Sequence, residues 1–208
     1  MGFYLGLDLG QRRDHSALAV VEKLERWRPY GQPEFEALLV RHVERMPLGT
    51  TYPNVVERVR AVMGTPELYR QCELVVDSTG VGAPVVDMLR SAGLGCDISS
   101  VTITGGEKES GGQGYGGGVY NVPKRDLIAS VQLALEQGEL RIARELGSAG
   151  PLVEELLDVR KTGRESGRDR VGADRAGEHD DLVIAVALAC WKGRRVTKVN
   201  SFGKTRLF

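Results

Sequence analysis

The stretch Phe3-Tyr4-Leu5-Gly6-Leu7-Asp8-Leu9-Gly10 is an apolar run that stops on a carboxylate and then turns at a glycine. A run of this length bounded by turn residues reads as a buried strand. The Tyr and Leu content, followed by a Gly10-Gln11-Arg12-Arg13-Asp14 loop, decides against a short helix. An ionised Asp8 at the end of such a strand is costly unless a cation or a hydrogen-bonding partner offsets it.

Outward from this run, Ser16 to Glu22 reads as a second strand, joined by a short polar loop and therefore antiparallel to the first. Phe35 to Val43 alternates well enough for a third, which completes a meander. Thr51 and Pro53 open a helical pattern with Val55, Val56, Val59, Val62 and Met63 at helical spacing, closed by Gly64. Leu74-Val75-Val76-Asp77 is a second apolar run that ends on an acid. The loop after it leads through Pro84 into a helix over Val85 to Ala92, and Ile98 to Thr104 is a further strand. Lys124 to Gln137 carries the longest amphipathic pattern. Leu140 to Ile142 is a short extended piece, Pro151 to Val159 is helical, and Glu178-His179-Asp180-Asp181 introduces a strongly apolar helix that ends near Trp191. This order predicts an α/β fold whose sheet has mixed strand direction.

Gly105 to Gly118 is glycine-rich with little to pack, and reads as a flexible loop. It holds a formal Gly-x-Gly-x-x-Gly at Gly112, Gly114 and Gly117. The preceding strand ends too early and no helix opens on the third glycine, so a dinucleotide loop is a weak reading.

The 208 residues fit a single domain, 1–208, with a basic C-terminal tail at 192–208. Apolar residues at 41% and charged residues at 27% are ordinary for a globular chain. A formal net charge of zero means that nucleic acid would have to be met by a local basic face. Cys72, Cys96 and Cys190 are far apart and in no Cys-x-x-Cys pair, which suggests neither a disulfide framework nor a thiolate zinc site and makes a reducing cytoplasm the expected setting. The run Leu182 to Trp191 is too short to span a bilayer.

The acids gain meaning together. A strand, helix, strand connection places parallel strands side by side about 4.8 Å apart, so Asp8 and Asp77 are expected at one sheet edge, where open α/β sheets bind ligands. Two carboxylates there stay ionised at neutral pH only beside a cation. Asp180 and Asp181, at the N-terminal end of the last helix, are favoured there by the helix dipole. An oxygen-rich set of this kind suits Mg2+ or Mn2+ and not zinc, and two such ions about 3.5–4 Å apart stabilise the attacking and leaving oxygens of a phosphodiester displacement. Taken singly, each acid also has a plainer reading: Asp77 as a turn former, Asp180 as an N-cap, Asp8 as a hydrogen-bonding strand end.

Four stretches resemble the nuclease domain of phage large terminase subunits, a branch of the RNase H-like (RuvC-like) nucleases. They are Gly6 to Gly10 with Asp14-His15-Ser16-Ala17, Val76 to Gly82 with Val86, Asp87 and Leu89, Pro123 to Ile128, and Glu178 to Val183. They fall in the family's order from Gly6 to about Trp191. The resemblance implies an RNase H-like five-stranded mixed sheet, an antiparallel meander followed by parallel strands, flanked by helices. It also implies a two-metal Mg2+ or Mn2+ site held by Asp8, Asp77 and one or both of Asp180 and Asp181, which cuts double-stranded DNA during genome packaging in the cytoplasm of a bacterial host. By position, Lys124 and Arg125 are DNA-backbone candidates, and His179 is open to assisting the reaction, contacting DNA or bonding at the helix entry.

The departure from a whole large terminase is the lack of a Gly-x-x-x-x-Gly-Lys-Ser/Thr loop; Gly203-Lys204-Thr205 is only a fragment of one. A packaging ATPase and portal would then be separate partners, and the chain an excised domain, a stand-alone nuclease or a prophage remnant. The alternatives are an actin-like nucleotide-binding kinase or ATPase fragment, suggested by Asp77-Ser78-Thr79-Gly80-Val81-Gly82, another RNase H-like nuclease such as a junction resolvase, and a non-catalytic DNA-binding or assembly module.

Overall fold

The computed structural model describes residues 2–10, 14–26, 34–80, 82–143, 145–165 and 179–195. The first three strands are β1 (Gly2–Asp8), β2 (Ala17–Arg26) and β3 (Glu34–Arg45), followed by helix α1 (Tyr52–Met63), β4 (Cys72–Asp77), α2 (Gly82–Ser91) and β5 (Asp97–Thr104). Then come β6 (Ser110–Gly114), β7 (Gly117–Pro123), α3 (Lys124–Glu136), β8 (Leu140–Ile142), α4 (Ala149–Glu165) and α5 (Asp181–Arg195).

The eight strands among the described residues form one sheet in the order β6-β7-β5-β4-β1-β2-β3-β8. The central five, β5-β4-β1-β2-β3, are the expected sheet: β1 pairs antiparallel with β2 and β2 with β3, while β4 lies parallel to β1 and β5 parallel to β4. The strand count is corrected from five to eight. β8 adds a parallel strand beside β3, and β7 adds a parallel strand beside β5, with β6 antiparallel on the outer edge.

The glycine-rich segment is thus a hairpin over much of its length. Gly117 has φ 128°, and a Cβ on it would stand 2.0 Å from the Ile98 carbonyl oxygen, so backbone proximity requires the glycine there. The Gly-x-Gly-x-x-Gly spacing falls inside this β-β unit and opens no helix. The basic tail is corrected in the same way at its start: residues 192–195 belong to α5, and Lys192 is buried. Residues 196–208 lie outside the described set.

The pleat of β1 divides the core into two. Leu5 and Leu7 pack on one face with Val55 and Val59 of α1 and Val85 and Leu89 of α2. Tyr4 packs on the other with α3, α4 and α5. Helix α5 is buried from Asp181 to Gly193, which explains its nearly continuous apolar sequence. It crosses β1 at Gly6, where a Cβ would stand 1.9 Å from the carbonyl oxygen of Ala185. Period-two alternation puts Gly6 and Asp8 on the same, α5-facing side of the sheet. Among the described residues no helix is long and apolar enough to cross a membrane.

Candidate functional site

Asp8 ends β1 and Asp77 ends β4, each one residue beyond the paired Leu7 and Val76. The two acids therefore leave the same edge of the sheet on neighbouring parallel strands, about 4.8 Å apart in backbone. The loop after Asp77 is pinned: Thr79 N donates to Asp77 Oδ1 (2.8 Å), Ser78 N donates to the Val101 carbonyl (2.8 Å), and Ile103 N donates to Thr79 Oγ1 (2.7 Å). The turn-forming role of Asp77 is thus real, and it coexists with its position beside Asp8.

Helix α5 brings the remaining acids to this edge. Its N-terminal turn is capped by Glu155 of α4, whose Oε2 accepts from Leu182 N (3.0 Å) and Val183 N (3.2 Å). The side chain of Asp180 does not cap the helix but pairs with Lys124 Nζ at 2.7 Å, near enough to Asp8 for both charges to act on it, while its carbonyl accepts from Ile184 N. Asp181, the first helix residue, is buried. Its Oδ2 is 3.2 Å from Arg45 Nε and 3.8 Å from His179 Nδ1. Arg45 also forms an ion pair with Glu155.

The electrostatics single out Asp8. Burial pushes its carboxyl well above the ordinary carboxylate range, and Asp77, Asp181 and Asp180 push it further, in that order, against the pull of Lys124. Burial also raises Asp77, opposed by its bonds to Thr79 and by Lys124, and raises Asp181, opposed by Arg45 and His179. Glu155 is pushed up to about 7 by burial, against the Val183 N–H and Arg45.

Of the residues singled out in the sequence, Asp8, Asp77, Asp180, Asp181 and Lys124 are therefore electrostatic neighbours. His179 stands half-exposed over this edge with its ring edge-on to His15 at 5.4 Å, and His15 Nδ1 lies 2.9 Å from the Met46 carbonyl. Arg125 points away, to Asp126 and to the Glu107 carbonyl. Arg45 and Glu155 were not singled out. The signal for Glu155 was present, since it lies three residues after buried Leu152 on the inward stripe of α4.

A hard divalent cation fits the chemistry of this set. All four acids offer oxygen donors, and the buried Asp181 Oδ2 makes no hydrogen bond. Among the described residues no three His, Cys, Asp or Glu side chains already form a cluster tight enough to grip an ion.

The central β1 flanked by β2 and β4, with acids at the shared edge and α5 across one face, defines an RNase H-like fold. Within that class the chain is similar to the large terminase nuclease of the thermophilic phage G20c, with 21% identity, a TM-score of 0.52, and 90% of this chain and 80% of that one covered. It is similar in the same way to the human cytomegalovirus terminase nuclease domain (16% identity, TM-score 0.52, covering 91% and 82%) and to the Mn-soaked form of that domain (14%, 0.50, 91% and 81%). At these identities the likeness is one of fold, and it agrees with the resemblance read from the four stretches. No protein-family model matches the chain, and no curated protein matches it significantly.

Proposed function

We propose that this chain is a divalent-metal-dependent endonuclease that hydrolyses phosphodiester bonds of double-stranded DNA, as a terminase-type nuclease does during genome packaging. The observation that carries this reading is that the half-buried Asp8 and Asp77 leave one sheet edge on neighbouring parallel strands, one residue beyond the paired Leu7 and Val76, where desolvation and the charges of Asp77, Asp181 and Asp180 oppose ionisation of Asp8. Such an arrangement gains most from a cation.

Asp8, Asp77, Asp180 and Asp181 would hold Mg2+ or Mn2+, and the Mn-soaked cytomegalovirus domain is in keeping with that choice. When bound, such ions supply charge neutralisation at the scissile phosphate and a more acidic attacking water. The chain's own share is positional. β1 and β4 fix Asp8 and Asp77, and the Glu155 cap with Arg45 fixes the first turn of α5, which carries Asp181. Lys124, already among the acids, and the half-exposed His179 over the edge would meet the DNA backbone near the acids, and Arg125, which points away from them, would meet it only farther along the duplex.

The test is supercoiled plasmid digestion with Mn2+ or Mg2+ by wild type, Asp8→Ala and Asp77→Ala, together with the thermal midpoint of each protein as Mn2+ is added. Cutting by wild type, with loss of at least a hundredfold in both variants and loss of the Mn2+-induced rise in midpoint, is expected. Undiminished cutting by either variant overturns the site. A wild type that binds duplex but never cuts it supports the binding-module reading instead.

A further inference from the structure

Cys72 and Cys96 are separated in sequence, yet the fold brings them side by side just ahead of the first β4–β5 pair. β4 and β5 run parallel with Glu73 opposite Asp97 and Leu74 opposite Ile98. Cys72 and Cys96 stand one residue earlier on each side, which puts their α-carbons about 4.8 Å apart. A disulfide spans roughly 4.4–6.8 Å between α-carbons. The pleat turns both side chains to the same face, and both pack against the core shared with α1 and α2. Both are partly exposed, and both line an open cleft of about 530 Å³ together with Arg70, Arg90, Glu73 and Asp97. Cys190, by contrast, is buried in α5.

We infer that Cys72 and Cys96 are an oxidation site that closes reversibly into an intramolecular disulfide when the protein meets a hydroperoxide. Cys72 is the thiol that reacts first: its hydrogen bond with Cys96 holds it below the ordinary thiol range, and two arginines line the cleft into which it opens. The Cys72 thiolate attacks one peroxide oxygen, the O–O bond breaks, and the departing oxygen takes up a proton to leave as water. Cys72 is then a sulfenic acid. The sulfur of Cys96 attacks the Cys72 sulfur, the S–O bond breaks, and the hydroxyl leaves as a second water with the Cys96 proton. Two thiols have given up two electrons, and one hydrogen peroxide has become two waters. The bond would join the N-terminal ends of β4 and β5, about 16 Å along β4 from Asp77, so it fastens a strand that carries a site acid without touching that acid.

The experiment uses the whole reduced chain, folded, exposed to a small excess of hydrogen peroxide, quenched, alkylated and digested without reductant. Expected is one cross-linked peptide pair joining Cys72 and Cys96, lighter by two hydrogens than the reduced pair, in a monomeric species, with Cys190 alkylated only after unfolding. The thermal midpoint should rise by roughly 5–10 °C on oxidation and fall back with dithiothreitol. Cys72→Ser and Cys96→Ser should each lack both effects. The inference is overturned if both thiols of the treated wild type remain alkylatable, if they pass to sulfinic or sulfonic acid without a cross-link, or if the link forms between two chains or to Cys190.

Discussion

Replacing Gly6 with alanine tests how α5 is seated on the sheet, and the two effects in play have opposite signs. In a strand interior alanine is ordinarily better than glycine by about 0.5–1 kcal/mol, because glycine gives up more backbone freedom on folding. At Gly6 the added Cβ would lie 1.9 Å from the Ala185 carbonyl oxygen, 2.9 Å from its carbonyl carbon and 3.0 Å from Ala189 N. Ordinary contact begins at 3.4 Å, so the shortfall is 3.4 − 1.9 = 1.5 Å, and every atom involved is backbone, with no rotamer to turn away. The helix must lift or the strand must bend, and overpacking of this kind costs about 1–3 kcal/mol. Gly6→Ala is therefore expected to destabilise by about 1–2 kcal/mol net, a fall in thermal midpoint of roughly 2–8 °C for a chain of this size. Gly2→Ala is the matched control, since its Cβ would meet nothing closer than the Tyr4 hydroxyl at 3.4 Å. Urea unfolding of the three proteins decides the matter. A Gly6→Ala variant as stable as Gly2→Ala, or more stable than wild type, refutes the packing of α5 on β1 and with it the placement of Asp181 beside Asp8.

Glu155→Ala removes the acceptor for two N–H groups at the start of α5 and the partner of Arg45, and is expected to cost about 2–3 kcal/mol in urea unfolding, with Glu155→Gln recovering part of it. Lys192 lies 2.6 Å from Glu73 and also bonds Ser99 and Gln113, so Lys192→Met should destabilise by about 3–5 kcal/mol; adding Glu73→Gln should restore much of the loss, and a double variant no better than the single one refutes the pairing. Burial pushes Glu44 up, but the His42 ring 3.4 Å away and the two hydrogen bonds from Arg58 bring it down to about 2, below its unfolded value of 4.5. Its stabilisation is present above pH 4.5 and lost as pH falls through about 2, so the gap between wild type and Glu44→Gln should be about 1 kcal/mol near neutrality, after allowance for its partial exposure, and should close in acid unfolding curves.

What could be read from the sequence was whatever left a local pattern. The strands β1 and β4 announce themselves as short apolar runs ending on Asp8 and Asp77, and α5 as a long apolar run behind Asp180 and Asp181, so the central sheet and the acid edge follow. The β6-β7 hairpin leaves no such trace: Ser110 to Gly114 is exposed throughout and pairs through its backbone, and the glycines that signal a loop are what lets the strands approach. Lys192 looks like the start of a solvated basic tail because its partners are far off in the chain, Ser99 being 93 residues away. Arg45 and Glu155, 110 residues apart, are hidden in the same way. Long-range ion pairs carry no periodicity, and only the fold reveals that a charge on an apolar stripe has a partner.

These hidden pairs bear on why the acid edge is assembled where it is. Helix α5 runs opposite to β1 and β4: Asp181 lies near the C-terminal acids, Ala185 crosses Gly6, and Lys192 reaches Glu73 at the start of β4. From Asp181 to Lys192 is eleven helical steps, about 16 Å, and from Asp77 back to Glu73 is four strand steps, about 13 Å, so one helix spans the strand from end to end. An apolar helix on an apolar sheet could slide by a turn, about 5.4 Å, with little change in buried area. It is stopped by Lys192 in its buried pair at one end, by the Glu155 cap at the other, and by the close fit of Gly6 under Ala185 between them. Buried ion pairs are poor sources of stability but are well suited to fixing register. In this chain the register they fix is the one that sets Asp181 against Asp8.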